Sequence, residues 1–390
     1  MSSAPPQLDG FTVLDLSSVG PASRASRMLS DYGADVVKVG PTARKGGVQV
    51  QPPFHTYGAG RGMRKIRIDL KADAGKAALL KLAEQADVVI ESFRPGVVAR
   101  LGIGWEDVRA VNPRIVYCST SGYGQDGPAA SWAGHDINYL ALAGFLACSE
   151  PRADGGPPIP GATIADSAGG GMQAVLAILA ALVRRSISGE GQYLDVSAAE
   201  GVLSLMSLSI DQYLATGEIA GPRQVLLTGR YAFYDIYRTR DDRWLSVGAI
   251  EPQFYANLCK ALGLEQYIAH QMDDAKQAEI REAFQRVFAT RDRDDWVALL
   301  APNDTCVAPV CTIPEVVAAP HFRSRGIFMQ AEHPEHGAFE QVGPILAGGR
   351  REQPVHRTRA HAETDTDVLL ANAGMSAEAI ASLKHDGVVE

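Results

Sequence analysis

The chain of 390 residues carries 37 Lys and Arg against 45 Asp and Glu, which gives a formal net charge of −8. This acidic balance argues against nucleic acid as the main partner. Hydrophobic residues make up 46% of the sequence, so the chain can bury a large core, and its length suggests two or three domains. The 5 cysteines are scattered, so the sequence predicts neither a disulfide framework nor a metal site.

The sequence predicts a cytoplasmic location. The N-terminal segment MSSAPPQLDG lacks the basic start and apolar stretch of a signal peptide. Charged residues or glycines interrupt every apolar run, so we expect no membrane helix. The composition is that of a soluble cytoplasmic protein with no membrane partner.

The first half of the chain alternates apolar, β-branched stretches with amphipathic ones. We predict strands at 11–17, 34–39, 64–70, 86–92 and 114–122, helices at 21–32 and 73–85, and a loop at 41–60. This alternation is typical of an α/β fold in which helices cover both faces of a parallel sheet.

The second half begins with two long predicted helices, one near Asp136 and one near Ser167. A strand at 192–197, a helix at 198–215, a hairpin around Asp241 and Asp242, and short helices at 252–262, 274–288 and 292–300 follow. We therefore predict a large domain at 1–224, a smaller α+β domain at 225–325, and a C-terminal segment, 326–390, that returns to the large domain.

The turn after the first predicted strand is a weak candidate for phosphate binding. Gly20 stands alone before Pro21, so the dinucleotide fingerprint G-x-G-x-x-G is missing. A dehydrogenase of the Rossmann type is therefore disfavoured, and a plain βα turn with proline at the helix start explains these residues.

Two later stretches offer cations for a polyphosphate. The segment 61–71 carries five Lys or Arg residues, which fits either a polyphosphate or a solvated edge strand. In SFRPG, Phe93 is placed to stack on a purine, and Arg94 or Arg100 to reach a phosphate. The alternative for this motif is a Pro-Gly turn with a core phenylalanine.

Three acid/base side chains stand near predicted helix starts. His135 and Asp136 begin one helix and Asp166 the next. Each has a plain alternative as a surface or capping residue. Together with free N–H groups at helix starts, an imidazole and a carboxylate supply what proton exchange beside a thioester carbonyl requires. Glu251, just before Pro252, is either a helix cap or a carboxylate that fixes the tautomer of an imidazole.

At these residues the chain resembles the family III CoA-transferase superfamily, and within it the α-methylacyl-CoA racemase branch. The resemblance spans nearly the whole chain and is carried by YGADVVKV, RIDLK, ESFRPGVVARLGIG, NPRIVYCSTSGYGQDGP, AGHDINYLALAG, IADSAGGG, GQYLDVSAAEG, YRTRDDRWLSVGAIEPQFY and DTCVAPV. GHDINY discriminates best, because transferases of the family tend to lack the histidine before that aspartate.

The resemblance implies roles for particular residues. His135 and Asp166 would be the α-proton acid/base pair, and Glu251 would support His135 from the other subunit of a homodimer. The predicted contacts to CoA are Lys38, Ile68, Asp69, Leu70, Lys71, Ser92, Phe93, Arg94, Arg100, Gly134, Asp136, Ile137, Asn138 and Tyr139.

The resemblance also implies a fold and a reaction. Two interlocked subunits would each have a Rossmann-like large domain and a small domain. The substrate would be a 2-methylacyl-CoA thioester of lipid metabolism, whose (2R) and (2S) forms interconvert through an enolate without metal or separate cofactor. The alternatives are a CoA-transferase with Asp166 as nucleophile and a CoA-binding protein without turnover.

Overall fold

The structure is a computed structural model that describes residues 6–43, 52–345, 355–360 and 363–390. The chain forms two compact units. One comprises Met1–Ala143, Pro160–Leu205 and Ala319–Glu390, and the other Gly144–Ile159 and Met206–Ala318. The second unit contains most of the region predicted as a small domain and also a segment from the first half of the chain. The domain limits at 225 and 325 stay predictions.

A six-stranded parallel sheet forms the centre of the larger unit. Its strands are β1 (Thr12–Asp15), β2 (Asp35–Gly40), β3 (Arg64–Arg67), β4 (Val88–Glu91), β5 (Val116–Ser121) and β6 (Gln192–Ser197). They lie in the order β3-β2-β1-β4-β5-β6, and every neighbouring pair is parallel. The predicted α/β fold class is confirmed.

The first eight helices of the chain belong to the same unit as this sheet. They are α1 (Gly20–Asp31), α2 (Pro53–Ala59), α3 (Asp73–Ala83), α4 (Val97–Leu101), α5 (Trp105–Val111), α6 (Asp136–Leu142), α7 (Gln173–Ser188) and α8 (Ala198–Leu205). A π-helix, Ala165–Met172, leads directly into α7.

Helices pack on both faces of the sheet. On one face, Leu29 of α1 and Ile178 of α7 pack against strand residues such as Val116. On the other, Leu79 of α3 packs with Leu14 of β1. The inner strands β1, β2, β4 and β5 are covered on both faces and are mostly apolar, which is why the sequence predicts them clearly.

The smaller unit combines a three-stranded antiparallel sheet with helices. It contains β7 (Tyr234–Arg238), β8 (Trp244–Gly248), β9 (Val307–Pro309), α9 (Ser207–Thr216), α10 (Pro252–Leu262), α11 (Gln277–Phe288), α12 (Arg293–Leu300) and α13 (Ile313–Ala318). The predicted hairpin is confirmed: β7 and β8 pair antiparallel, and Asp242 has a φ of 61° in the turn.

The C-terminal part of the chain completes the larger unit. It contains α14 (Pro320–Ser324), β10 (Phe328–His333), β11 (Gly337–Val342), β12 (His356–Arg357), α15 (Thr366–Asn372) and α16 (Ala377–His385). Short 3-10 helices occur at Leu146–Cys148, Leu226–Thr228, Glu265–His270, Asp274–Lys276 and Ala301–Asn303.

Three local predictions were wrong. Within the expected loop 41–60, Pro53–Ala59 is helical, while 44–51 lie outside the described residues. The helix near Asp136 is short because the chain turns at Gly144, where φ is 82°. The single helix expected at 198–215 is two helices that separate at Met206.

The helical stretch Ala165–Ser188 also corrects an expectation. By length and composition alone it is apolar enough to cross a membrane, although we expected no such run. Part of its surface is buried against the rest of the unit, and the core helix of a globular protein has the same composition.

Candidate active site

Three of the predicted CoA-binding stretches lie in or directly after strands of the parallel sheet. Lys38 lies in β2, Ile68–Lys71 follow β3, and Ser92–Arg94 follow β4. Because parallel strands end at one edge, the fold brings these stretches to the same side of the sheet. Ligands of open α/β sheets bind at this carboxyl edge.

The side chains in these stretches differ in what they offer a ligand. Ile68 is 1% exposed, and Leu70 and Phe93 pack against the core. The ring of Phe93 is partly buried and packs against the core, as the alternative interpretation of SFRPG predicts, and its contact with CoA stays a prediction. Among the described residues that follow β3 and β4, Lys71, Arg94 and Arg100 are exposed cations.

Lys38 is bound by the protein itself. Its Nζ donates to Oδ2 of Asp15 at 2.7 Å and to the backbone oxygen of Ser17 at 2.8 Å. Asp15 is fully buried and lies opposite Lys38 in the register of β1 and β2. Because a buried carboxylate needs a counter-charge, Lys38 serves first as the partner of Asp15.

The predicted acid/base pair lies on two elements that are joined by a hydrogen bond. His135 is exposed and directly precedes α6, whereas Asp166 is half-buried in the π-helix. The N–H of Asp166 donates to Oδ1 of Asp136, the first residue of α6, at 2.8 Å. This bond holds the starts of the two elements together. Asp166 lies inside its helix, so it is not the cap that its sequence position suggested.

The charges around Asp166 show which groups share its neighbourhood. Burial and the carboxylate of Asp136 raise the pKa of Asp166, whereas Arg24 and His135 lower it. Burial and then Asp166 also raise the pKa of Tyr139, to about 12. The Tyr139 hydroxyl therefore stays protonated, and it donates to the backbone oxygen of Gly134 at 2.6 Å.

Glycine allows the helices behind Asp166 to pack closely. A Cβ on Gly201 in α8 would lie 1.7 Å from the backbone oxygen of Gly169 in the π-helix. No other residue type fits such a contact without displacement of the backbone. The run of three glycines in IADSAGGG therefore allows the helical turn that carries Asp166 to pack closely against α8.

Glu251 belongs to the smaller unit. It is exposed and directly precedes Pro252, the first residue of α10. It occupies the N-cap position of α10, as the plain alternative predicted, although its side chain makes no cap hydrogen bond to the helix. Its support of His135 remains a prediction.

An open, mostly apolar pocket of about 150 Å³ lies beside α6. Leu142, Ala143 and Leu203 are among its lining residues, together with Tyr123 at one side. The ring of Tyr123 packs edge-on against Tyr139 with 5.1 Å between the ring centroids. The pocket therefore lies against the C-terminal end of α6, and Tyr123 links it to Tyr139 within this helix.

The arrangement of motifs, fold and carboxyl-edge residues matches one protein family. The model for CoA-transferase family III matches residues 8–365. The chain belongs to CoA-transferase family III. The family resemblance predicted from the sequence is thereby confirmed, and the protein is an enzyme of the family III transferase and racemase type.

Relatives of this family III enzyme include proteins named as racemases and proteins named as CoA-transferases. It is 37% identical to the human protein "Alpha-methylacyl-CoA racemase" over 98% of this chain and 97% of the relative. It is 29% identical to the human "Succinyl-CoA:glutarate CoA-transferase" over 87% of this chain and 80% of the relative.

Solved structures share its fold. The crystal structure of Rv3272 from Mycobacterium tuberculosis has a TM-score of 0.76 and 26% identity, and the match covers 91% of this chain and 97% of that one. A CAIB/BAIF family protein from Brucella suis has a TM-score of 0.72 and 25% identity, with 93% of each chain covered.

One group of side chains in the described part of the family III chain brings metal-ligand atoms together. His333, Glu335 and His336 place such atoms within 4.8 Å of one another. However, Nδ1 of His333 accepts the N–H of Glu335 at 3.1 Å, and the rings of His333 and His336 are stacked nearly parallel. Parallel rings do not direct their lone pairs at one ion, so the group is explained by the β10–β11 turn.

Sequence reasoning missed three residues of this site. Asp15 was recoverable, because parallel pairing of the first two predicted strands places it beside Lys38. Glu91 ends β4 with 1% exposure, and its Oε2 accepts the N–H of Phe93 at 2.7 Å. No pattern in the sequence indicates a role for Arg24, because the residues near it in space come from distant segments of the chain.

Proposed function

We propose that this family III enzyme interconverts the (2R) and (2S) forms of 2-methylacyl-CoA thioesters. The observation that carries the proposal is the pairing of His135, directly before Asp136, with Asp166, which is bonded to that same aspartate. The 37% identity to a relative named as an α-methylacyl-CoA racemase supports it.

The chemistry needs two groups on opposite sides of the α-carbon. One of His135 and Asp166 removes the α-proton and leaves a planar enolate, and the other returns a proton to the opposite face. A single base would tend to restore the original configuration. Neutral imidazole suits this role because its unperturbed pKa is about 6.5. The raised pKa of Asp166 brings its proton affinity closer to that of the imidazole.

CoA binding is assigned to the carboxyl edge of the sheet. Lys71, Arg94 and Arg100 are exposed there and would pair with the phosphates. Asp69, Ser92 and the α6 segment 134–139 complete the proposed contacts. Lys38, Ile68, Leu70 and Phe93 would then shape the edge through the ion pair and the core. CoA enters as part of the substrate, and no separate cofactor is proposed.

Two copies of the chain are part of the proposal. The family resemblance implies an interlocked homodimer in which Glu251 of the second copy fixes the tautomer of His135. Large apolar side chains on the outer surface of α7 favour an interface: Leu176 is 61% exposed, Val183 64% and Ile187 76%.

A CoA-transferase is the second candidate, and the relative named as a succinyl-CoA:glutarate CoA-transferase favours it. Asp166 would attack the thioester carbonyl and release CoA as the thiolate, which leaves a mixed anhydride. The thiolate would then attack the aspartyl carbonyl, forming an aspartyl-CoA thioester and releasing the first acid. An acceptor carboxylate would take CoA in the reverse sequence.

One experiment separates these activities. The protein is incubated with a 2-methylacyl-CoA of one configuration in deuterated water, and the α-proton is followed by NMR. We expect deuterium at the α-carbon together with inversion. CoA passing to an added carboxylic acid without exchange would establish the transferase instead. Binding with neither result would leave a CoA-binding protein without turnover.

A further inference from the structure

Arg24 lies near the start of α1, where this helix packs against the π-helix. Gly170 and Gly171 of the π-helix lie against α1: a Cβ on Gly170 would lie 2.5 Å from Cβ of Pro21, and one on Gly171 would lie 2.8 Å from Cβ of Arg24. The same Cβ on Gly171 would lie 2.9 Å from the backbone oxygen of Asp166, one turn earlier in the π-helix. Because no side chain separates the two helices, the stem of Arg24 is fixed beside the turn that carries Asp166.

The guanidinium of Arg24 is held at the same turn. Its Nη2 donates to Oγ1 of Thr163 at 2.8 Å, and the backbone oxygen of Thr163 accepts the N–H of Ser167 at 3.0 Å. Its Nε is buried and has no hydrogen-bond partner among the described residues. An unpaired buried N–H costs stability, so packing alone gives no reason for an arginine at this position.

The charged groups that face Asp166 come from two helices. Asp136 and Tyr139 belong to α6, His135 directly precedes this helix, and Arg24 belongs to α1. From α8, Ala198 and Val202 contact the π-helix near Gly169 without any charge. The helix that carries Asp166 has no other titratable residue before Arg184. His55 of α2 also lies near Arg24: burial, and then the positive charge of Arg24, lower the pKa of this imidazole.

Arg24 is the one group in this set whose positive charge is permanent. His135 carries a charge only when its ring is protonated, whereas a guanidinium remains charged at every working pH. Burial and the carboxylate of Asp136 both favour the protonated form of Asp166. The positive charge of Arg24 opposes both effects and favours the carboxylate, the form of Asp166 that accepts a proton or attacks a carbonyl.

We propose that Arg24 is a positioning residue whose fixed positive charge keeps Asp166 ionised between turnovers. The inference rests on the proposed function and extends it to a side chain that lies outside the catalytic motifs. It applies equally to Asp166 as an α-proton base and as a nucleophile, because both roles begin from the carboxylate.

The titration of Asp166 tests the proposal without reference to activity. The protein is labelled with ¹³C at the aspartate carboxyls, and Asp166→Asn identifies the resonance. In Arg24→Met, which keeps the stem and loses the charge, we expect the midpoint of Asp166 to rise by about one pH unit. Arg24→Lys, which keeps the charge, should stay near the wild-type midpoint. Equal midpoints in Arg24→Met and wild type would overturn the proposal.

The pH profile of turnover gives the functional readout. In Arg24→Met, the acidic limb of deuterium exchange or CoA transfer should move to higher pH by about one unit, with CoA affinity within twofold. If wild type catalyses neither reaction, the proposed function fails, while the carboxyl titration still decides the role of Arg24.

A second variant, Thr163→Val, removes only the hydrogen-bond acceptor of the Arg24 guanidinium. If Arg24→Met does not fold, a rise of the Asp166 midpoint in Thr163→Val supports the proposal and an unchanged midpoint overturns it.

Discussion

The N–H of Asp166 donates a hydrogen bond of 2.8 Å to Oδ1 of Asp136, and it thereby joins the π-helix to the start of α6. The same Asp136 acts on Asp166 in a second way, because its negative charge raises the pKa of the neighbouring carboxyl. Substitutions of Asp136 can separate the effect of this hydrogen bond from the effect of the negative charge.

Replacing Asp136 by asparagine keeps an acceptor oxygen and removes the charge. The pKa of Asp166 should then fall, so the carboxylate persists to lower pH and the acidic limb of exchange moves down by about one unit. Asp136→Ala loses the acceptor as well, and we expect its exchange rate to fall about tenfold. A pH–rate profile for each variant checks both expectations. Identical profiles for the two variants would show that the hydrogen bond has no catalytic value.

Removing either proposed acid/base group should abolish racemisation. We expect His135→Ala and Asp166→Ala each to lower the inversion rate by at least about 10²-fold, the usual contribution of a general acid or base. Their CoA affinities, measured by titration calorimetry, should stay within a few-fold of wild type. A variant that turns over at the wild-type rate would remove its residue from the mechanism.

The ion pair of Lys38 with Asp15 should matter more for stability than for CoA binding. Lys38→Met leaves a fully buried carboxylate without its counter-charge, which costs about 3 kcal/mol in the free energy of unfolding. The double variant Asp15→Asn with Lys38→Met should recover much of this loss, because the uncompensated charge is gone. Urea unfolding of the single and double variants measures both values. A large loss of CoA affinity in Lys38→Met at unchanged stability would instead assign Lys38 to the ligand.

Glu91 should make the stability of the protein depend on pH. Burial is the first cause that raises the pKa of this carboxyl, to about 7, and a hydrogen bond from Ser119 opposes it. The folded state therefore favours the protonated acid. This contribution is complete below the unfolded pKa and is lost as pH rises through about 7.

The corresponding loss of unfolding free energy between pH 5 and pH 8 is at most about 3 kcal/mol. Denaturant unfolding at the two pH values measures it. Glu91→Gln, which resembles the protonated form, should remove this part of the slope. The same slope in wild type and variant would place the effect on another group.

Much of the fold follows from local patterns in the sequence. Apolar, β-branched runs predicted the inner strands β1, β2, β4 and β5 within a few residues, because strands covered on both faces need mostly apolar side chains. The edge strand β3, which was also predicted, has the sequence RKIR. The hairpin at Asp241 and Asp242 was equally clear. Local pattern was less reliable where a turn interrupts an apolar helix, as at Gly144 and Met206.

In the candidate site, too, some features follow from the sequence and others from the tertiary structure. The sequence by itself determined the chemical types, an imidazole before Asp136 and a carboxylate at Asp166, together with the family. Only the tertiary structure decided that Asp15 binds Lys38, that Phe93 packs against the core, and that Arg24 lies near Asp166. Helical and strand periods specify which face a side chain occupies, but the partner it meets there comes from a distant segment. That choice depends on how the elements pack, and the energies of burial and charge at each contact then set the properties of the site.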